Sequence, residues 1–545
     1  MSFKKLTAAS ITDLIGDELL DTLQEILPVL DPNATPEQLD RKENLIRILF
    51  SFFDAKDFSD KEVLEEFLIH QSETELVKFF SLIGRTPPDS FEEKIAVLLR
   101  KGWKDPDYCR TFCAHFSLPE TFIPVRGRKD PNFEILNPAT TLFKPLKDYQ
   151  QDIFFRAQEK LDILSSRFII QMPTGSGKTR TAMELVASQL STCSPSTVII
   201  WIVNSEELCE QAVESFLELW QHLGTRPIQL VRAWGSNGLI KTHDDMPTFA
   251  VCGFQKLYAQ IRNERHVFEA MSDRVHMIIV DEAHRVLAPT YSEVIYNLKT
   301  TTTRVIGLTA TPGRGIDNDA ETRRLSDFFH GEKLDVTTPS EDITVFEYFR
   351  EKGILANGHF QPLVTSPSFE LSRADLRHLE RNFDFPPSFL RMLGDDNTRN
   401  IEILTRLKQL LTNHSKALFF GCSVEHSRFT ASTLNFLGIS AAHIDGGTPK
   451  GTRQAILEKF RNGELQVICN YGILSTGFDA PKVDLVFIAR PTRSIILYSQ
   501  MIGRGLRGPA VGGTESCTVV TVKDNIIGLP DEDTMFTYFD DYFNT

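Results

Sequence analysis

Over the first 120 or so residues, apolar side chains recur three and four positions apart, in ITDLIGDELLDTLQEIL, KENLIRILFSFF, KEVLEEFLIHQ, ELVKFFSLI and FEEKIAVLLRKG. That is the spacing of one buried helical face. Breaks at DPNATP and RTPPDS separate the stretches, so the pattern predicts an all-α domain of about five or six helices over residues 1–125. From about residue 140 the period changes to short apolar runs alternating with amphipathic stretches, which predicts the α/β class with doubly wound parallel sheets. Strands are expected at 168–171, 197–203, 248–252, 277–280 and 304–308, then at 417–421, 467–470, 485–489 and 517–522. Residues 335–395 read as irregular, with SPS, FPPS and GDDN. A hinge is therefore expected at 341–395, between one α/β domain at 140–340 and another at 396–525, with an acidic aromatic tail at 526–545.

A chain of 545 residues, 41% of them hydrophobic, is long enough for several cores. The net charge of −14 argues against coating nucleic acid by bulk attraction. Residues 1–100 carry 11 Lys and Arg against 20 Asp and Glu, so the acidity is concentrated at the front and any contact with a polyanion must come from local features further along. No run reaches the roughly 18 to 20 apolar residues that cross a bilayer, and the opening MSFKKLTAASITDLIGDELL brings acids too early for a secretory signal; the expected compartment is the cytoplasm. Eight cysteines, mostly in apolar runs such as VCGF, FFGCS and VICNY, are expected as reduced core thiols. Cys109, Cys113 and His115 could offer three metal ligands, but a fourth is missing nearby, so a half-buried helix is the expectation. Asp89, Glu92 and Glu93 before Lys94 lie too close together for a nuclease site built from separate strands and read as a helix start.

The chemistry begins at QMPTGSGKTRT, after the expected strand 168–171. In PTGSGKT, Gly175 and Gly177 let backbone N–H groups approach phosphate oxygens, with Thr174 and Ser176 in the same turn. Lys178 can reach the β and γ phosphates of a nucleotide, and the Thr179 hydroxyl can ligate Mg²⁺. Met172 stands where the general pattern has a small residue. About a hundred residues on, MIIVDEAHRVL ends a strand with an acidic pair: Asp281 suits the metal, and Glu282 suits orienting or deprotonating the attacking water.

PTGSGKT, DEAH, Thr309-Ala310-Thr311 in IGLTATPGR, and the run from Gln500 through Gly503, Arg504 and Gly505 to Arg507 resemble, in order, the motifs of the superfamily 2 helicases and translocases. The likeness covers about 142–525 and is to the branch of restriction-enzyme motor subunits and excision-repair-type DNA helicases rather than to the DEAD-box RNA helicases. It implies two tandem RecA-like lobes, with ATP and Mg²⁺ bound between them and nucleic acid, DNA in the first place, held across both. Under this resemblance Gln150 in LKDYQQDI reads the adenine edge. Ser205 and Gln211 in VNSEELCEQAVESF, and Gly253, Phe254 and Gln255 in GFQKL, touch the nucleic-acid backbone, as do Ser423 in FFGCSVEHS and Arg493 in ARPTRS. Thr476, Gly477 and Asp479 in GILSTGFDAP link bound nucleotide to bound strand. Arg504 and Arg507, three apart, would share one side of a helix, facing the γ phosphate from the other lobe, with Gln500 before them.

Two other readings stand beside a DNA motor. One is an RNA helicase; the other is a nucleotide-gated switch that senses nucleic acid while its acidic helical domain recruits a partner protein. That domain is expected to bind a partner or to cover the nucleic-acid path, and a cut at VRGRK, 125–129, is expected to leave a soluble two-lobe ATPase. No membrane contact and no nuclease motif are read, and oligomeric state is not legible.

Overall fold

The computed structural model describes residues 7–124, 131–137, 145–235, 237, 240, 242, 245–310, 319–340, 342–382, 384–472 and 482–527. Strands β1 (Phe133–Leu136), β2 (Arg167–Gln171), β3 (Val198–Val203), β4 (Ile228–Ala233), β5 (Thr248–Gly253), β6 (Val275–Asp281), β7 (Arg304–Thr309) and β8 (Lys333–Leu334) form one sheet, in the order β1-β4-β5-β3-β6-β7-β2-β8. Only β1 runs antiparallel, along β4. Strands β3, β4, β5 and β7 are buried at every position. Helices cover both faces of such a sheet, so its strands are mostly apolar, with Gln229, Arg232 and Arg304 as buried exceptions.

A second sheet takes β9 (Asn357–Glu370), β10 (Ala417–Phe420), β11 (Ala441–Ile444), β12 (Val467–Asn470), β13 (Leu485–Ile488) and β14 (Ser516–Ile527), in the order β11-β12-β10-β13-β14-β9, all parallel. The expected hinge at 341–395 is corrected here. It contains β9, fourteen residues paired along β14, and the helices Val345–Glu351, Arg373–Asn382 and Pro387–Asp395. Strand β9 escaped the apolar pattern because it is an outer strand with mostly exposed or half-exposed positions, and it carries Pro362 and Pro367, which an edge tolerates.

The N-terminal domain is all-α, with eight α-helices among the described residues from Ala8–Ile15 to Pro106–Phe116. Thr7, Asp60, Ser72, Ser90 and Asp105 each cap a helix by accepting from a backbone N–H of its first turn. The core is aromatic: Phe58 meets Phe67, Trp103 and Phe122, and Phe112 lies against Phe67, Phe79, Trp103 and Phe116. Cys109 and Cys113 sit in this core, where burial pushes both thiols up to about 12. His115 Nε2 lies 3.0 Å from the Glu75 carbonyl.

This domain packs on the second sheet's outer helices, Asn397–Leu411 and Val424–Phe436. Ile26 and Leu30 meet Leu404, and the Phe52 ring lies 5.9 Å from that of Phe429. The Arg47 guanidinium sits 4.5 Å over the Phe436 ring while donating to the Phe436 carbonyl at 2.7 Å. Lys408 Nζ donates to the Leu30 carbonyl at 2.6 Å, and Arg428 pairs with Asp57. The expected cut at 125–129, which lies outside the described residues, would therefore strip a fitted apolar face. We expect the truncated chain to aggregate during size-exclusion chromatography instead of eluting as a soluble ATPase, because each large side chain uncovered forfeits about 1.5–3 kcal/mol of burial. A monodisperse fragment with wild-type melting behaviour would contradict this.

Candidate active site between the two sheets

Strand β2 ends at Gln171, and the chain turns through 173–177 into the helix Lys178–Thr192. Gly175 and Gly177 have φ of +84° and +86°, a conformation that L side chains rarely adopt. With Gly177 at the N-cap, the first N–H groups of a fifteen-residue helix point into the turn. Two side chains brace it from behind: Tyr149 donates from its hydroxyl to the Ser176 carbonyl at 2.6 Å, and Gln150 Nε2 donates to the same oxygen at 3.1 Å. Gln150 Oε1 accepts from the Lys147 N–H at 2.9 Å. Thus Gln150, 6% exposed, supports the phosphate turn with both ends of its amide, a task that the adenine reading did not anticipate.

The acidic pair closes β6, separated from β2 only by β7. Glu282 is itself left-handed, φ 60° and ψ 67°, a conformation that costs of order 1–3 kcal/mol and turns its side chain out of the strand direction. Its Oε1 accepts from Gln500 Nε2 at 2.8 Å, and its Oε2 lies 3.5 Å from His284 Nδ1. Burial pushes Asp281 up to about 6 against the pull of Lys178, with Glu282 adding to the rise. Burial also opposes charge on Glu282, but Lys178, His284, Arg285 and the Gln500 hydrogen bond together hold it below the ordinary carboxylate range. The site thus has one carboxylate kept ionised by the protein and one short of positive charge.

From the second sheet, the helix Ile495–Ile502 carries Gln500. Arg504 and Arg507 do not share that helix, contrary to the spacing argument: it ends at Gly503, and Arg507 bridges to Leu355 as an extended residue. A Cβ on Gly503 would lie 2.5 Å from Thr174 Cγ2, so the chain passes too near the phosphate turn for a side chain there. Both arginines still face the first sheet. Arg504, 7% exposed, is pushed down to about 10 by burial while Glu282 counteracts it. Arg507 Cγ comes within 3.4 Å of where a Gly175 Cβ would be.

The expected nucleic-acid contacts fare unevenly. Ser205 and Ser423 spend their hydroxyls capping the helices Glu206–Leu223 and Val424–Phe436, accepting from Leu208 N at 3.3 Å and His426 N at 3.0 Å. The Phe254 ring is 9% exposed and stacked on Tyr291 at 3.6 Å, which leaves its main-chain N–H, at the start of the helix Phe254–Asn263, as the group that could meet a phosphate. Gly253 caps the helix Phe254–Asn263 with Trp234 packed against it, and Gln255 is exposed. Gln211 and Arg493 are half-buried. Thr311, Thr476, Gly477 and Asp479 lie outside the described residues. Tyr149, Lys147, whose Nζ donates to the Ala510 carbonyl at 2.8 Å, and His284 were not singled out from the sequence. Tyr149 and Lys147 stand within the quoted LKDYQQDI and His284 within DEAH, but only the fold turns them toward the cleft.

Residues 143–314 match the family model of the type III restriction enzyme res subunit, and residues 401–508 match the helicase conserved C-terminal domain. A 51.5 kDa protein of a Lactococcus phage (isolate 7-9) is 27% identical over 263 residues, 47% of this chain and 51% of its own. The protein named "Putative ATP-dependent helicase IRC3" from Saccharomyces cerevisiae is 26% identical over 378 residues, 66% of this chain and 49% of its own. The "ATP-dependent RNA helicase eIF4A" of Lodderomyces elongisporus is 24% identical over 410 residues, 73% of this chain and 88% of its own. The chain spans about half the length of the phage and budding-yeast relatives. With residues 143–314, which carry Lys178 and Asp281, matching a restriction subunit, and residues 401–508, which carry Gln500 and Arg504, matching a helicase domain, the chain belongs to superfamily 2 of the helicases and translocases, on its restriction-enzyme-like side.

Proposed function

We propose that this protein is an ATP-driven translocase or helicase acting on DNA, in which the two sheet domains close on a nucleotide and part after its hydrolysis. The hydrogen bond from Gln500 to Glu282 carries the reading, because it joins the water-activating carboxylate of one domain to the arginine-bearing segment of the other. Residues 175–179 would bind the phosphates, with Lys178 as the cation at the transferring end. A buried carboxylate short of positive charge and a hydroxyl at a helix start are hard oxygen donors. Asp281 and Thr179 would thus hold Mg²⁺, whose charge would offset that developing on the phosphoryl oxygens. Glu282, kept ionised, accepts the proton of the attacking water. Arg504 and Arg507 would meet the γ phosphate only when the domains are apposed. Thr476, Gly477 and Asp479 keep their proposed role in linking nucleotide to strand.

The strand itself would lie along the first sheet's carboxyl edge, on the starts of the helices Glu206–Leu223 and Phe254–Asn263, and continue across the second domain by Ser423 and Arg493. Backbone N–H groups at helix starts grip phosphates without reading sequence, which reconciles such work with an acidic chain. Free, mostly buried cysteines suit a reducing compartment and thus the cytoplasm; none of the described helices is long and apolar enough to cross a membrane. The acidic N-terminal domain is the proposed surface for a partner protein.

The test is ATP turnover against single-stranded DNA, duplex DNA and RNA. Stimulation by DNA alone supports the reading. Stimulation by RNA alone, favoured by the likeness to eIF4A, replaces it with an RNA helicase. Stimulation without strand movement replaces it with a sensor. Arg507→Ala should keep nucleotide affinity within about threefold while nucleic-acid-stimulated turnover falls by about 10²-fold or more, as befits an arginine engaged in the closed state. Equal stimulation in mutant and wild type would count against domain closure.

A further inference from the structure

Strands β5, β3 and β6 are neighbours in the first sheet, so the turns that follow them line one edge side by side. Two of these turns start the helices Glu206–Leu223 and Phe254–Asn263; the third is the acidic pair and its short 3-10 turn Ala283–Leu287. One side chain touches the first two, and its helix is tied to the third. Tyr291 stands in the first turn of the helix Pro289–Leu298, which Ser292 Oγ ties to the 3-10 turn by donating to the Val286 carbonyl at 2.7 Å. Its hydroxyl donates to Asn204 Oδ1 at 3.0 Å, one residue before the Ser205 cap. Its ring lies flat on Phe254, centroids 3.6 Å apart and planes 6° apart, at the head of the next helix.

We propose that Tyr291 is a positioning residue that couples the nucleotide site to the nucleic-acid grip by holding the Asn204 and Phe254 helix starts in register with the turn that carries Glu282. The inference rests on the motor reading. A rigid bridge of this kind gives the acidic pair a mechanical partner: any shift of the 3-10 turn as nucleotide binds or leaves moves both helix starts together. The rival account is ordinary core packing, in which the stack fills space and the hydroxyl merely finds an acceptor. The two differ because the hydrogen bond lies at the edge where a strand would bind, not in the sheet's interior.

Tyr291→Phe keeps the ring stack and deletes only the bond to Asn204; Asn204→Ala deletes it from the other side. Each is expected to leave nucleic-acid-free turnover and melting temperature near wild type, while the single-stranded DNA concentration for half-maximal stimulation rises by about three- to tenfold. The double variant should be no worse than either single one, since they share one bond. Tyr291→Leu, which also removes the stack, should lose more. If wild type is stimulated but Tyr291→Phe and Asn204→Ala keep its half-saturation, or if their effects add in full, the bridge is wrong and the motor reading stands. If no nucleic acid stimulates wild type, the motor reading itself fails.

Discussion

Lys178→Ala is expected to reduce ATP turnover by more than about 10³-fold, to the level of a blank reaction. Losing one electrostatic contact aimed at developing charge costs about 10²–10³ by itself. Here the lysine has a second role, because it is a charge that favours ionisation of both Asp281 and Glu282. Its removal would therefore weaken the proposed phosphate grip and make Asp281, the carboxylate proposed for the metal, harder to ionise. Phosphate release assayed with and without nucleic acid checks this, alongside a melting curve to establish that the variant is folded. Turnover within twofold of wild type would remove the phosphate loop from the mechanism.

Glu282→Gln should slow hydrolysis by about 10²–10⁴-fold, the range that a positioned proton acceptor supplies, while nucleotide binding survives. The substitution keeps size but disturbs more than basicity. Glu282 Oε1 accepts from the Gln500 amide, so an introduced amide must present its oxygen to Gln500 and turn its own N–H₂ toward His284, 3.5 Å from the other carboxylate oxygen. Titration with a fluorescent nucleotide, set against single-turnover hydrolysis, separates the two effects. If the variant fails to bind nucleotide, the roles assigned to Asp281 and Glu282 must be exchanged.

Much of this was legible because parallel strands covered on both faces cannot afford polar residues. β2, β3, β5, β6, β7, β10, β12, β13 and the core of β14 stand out as apolar runs, and the phosphate turn and acidic pair sit at the ends of two of them. β9 and β11, the two outer strands of the second sheet, are exposed or half-buried at many positions and give no such signal. Among the site residues, the family resemblance marked Arg504 and Arg507, but their spacing did not give the conformation that carries them, because the helix ends at Ile502 before either is reached. The buried stack of Phe254 was hidden for a related reason: an aromatic at a helix start looks the same in one dimension whether it faces solvent or a tyrosine thirty-seven residues further on.

The union of the N-terminal domain with the outer helices of the second sheet has a mechanical consequence. Arg428 pinned to Asp57, Arg47 seated on Phe436 and Lys408 tied to Leu30 leave the domain no independent hinge at that surface. If the two sheets part after hydrolysis as proposed, residues 7–124 would ride with the second one. The helices Glu73–Leu82 and Phe91–Lys101, built into the same aromatic core, would then turn with that sheet. A dye pair spanning one of those helices and the first sheet would thus read the stroke of the engine through a lever that the protein already carries.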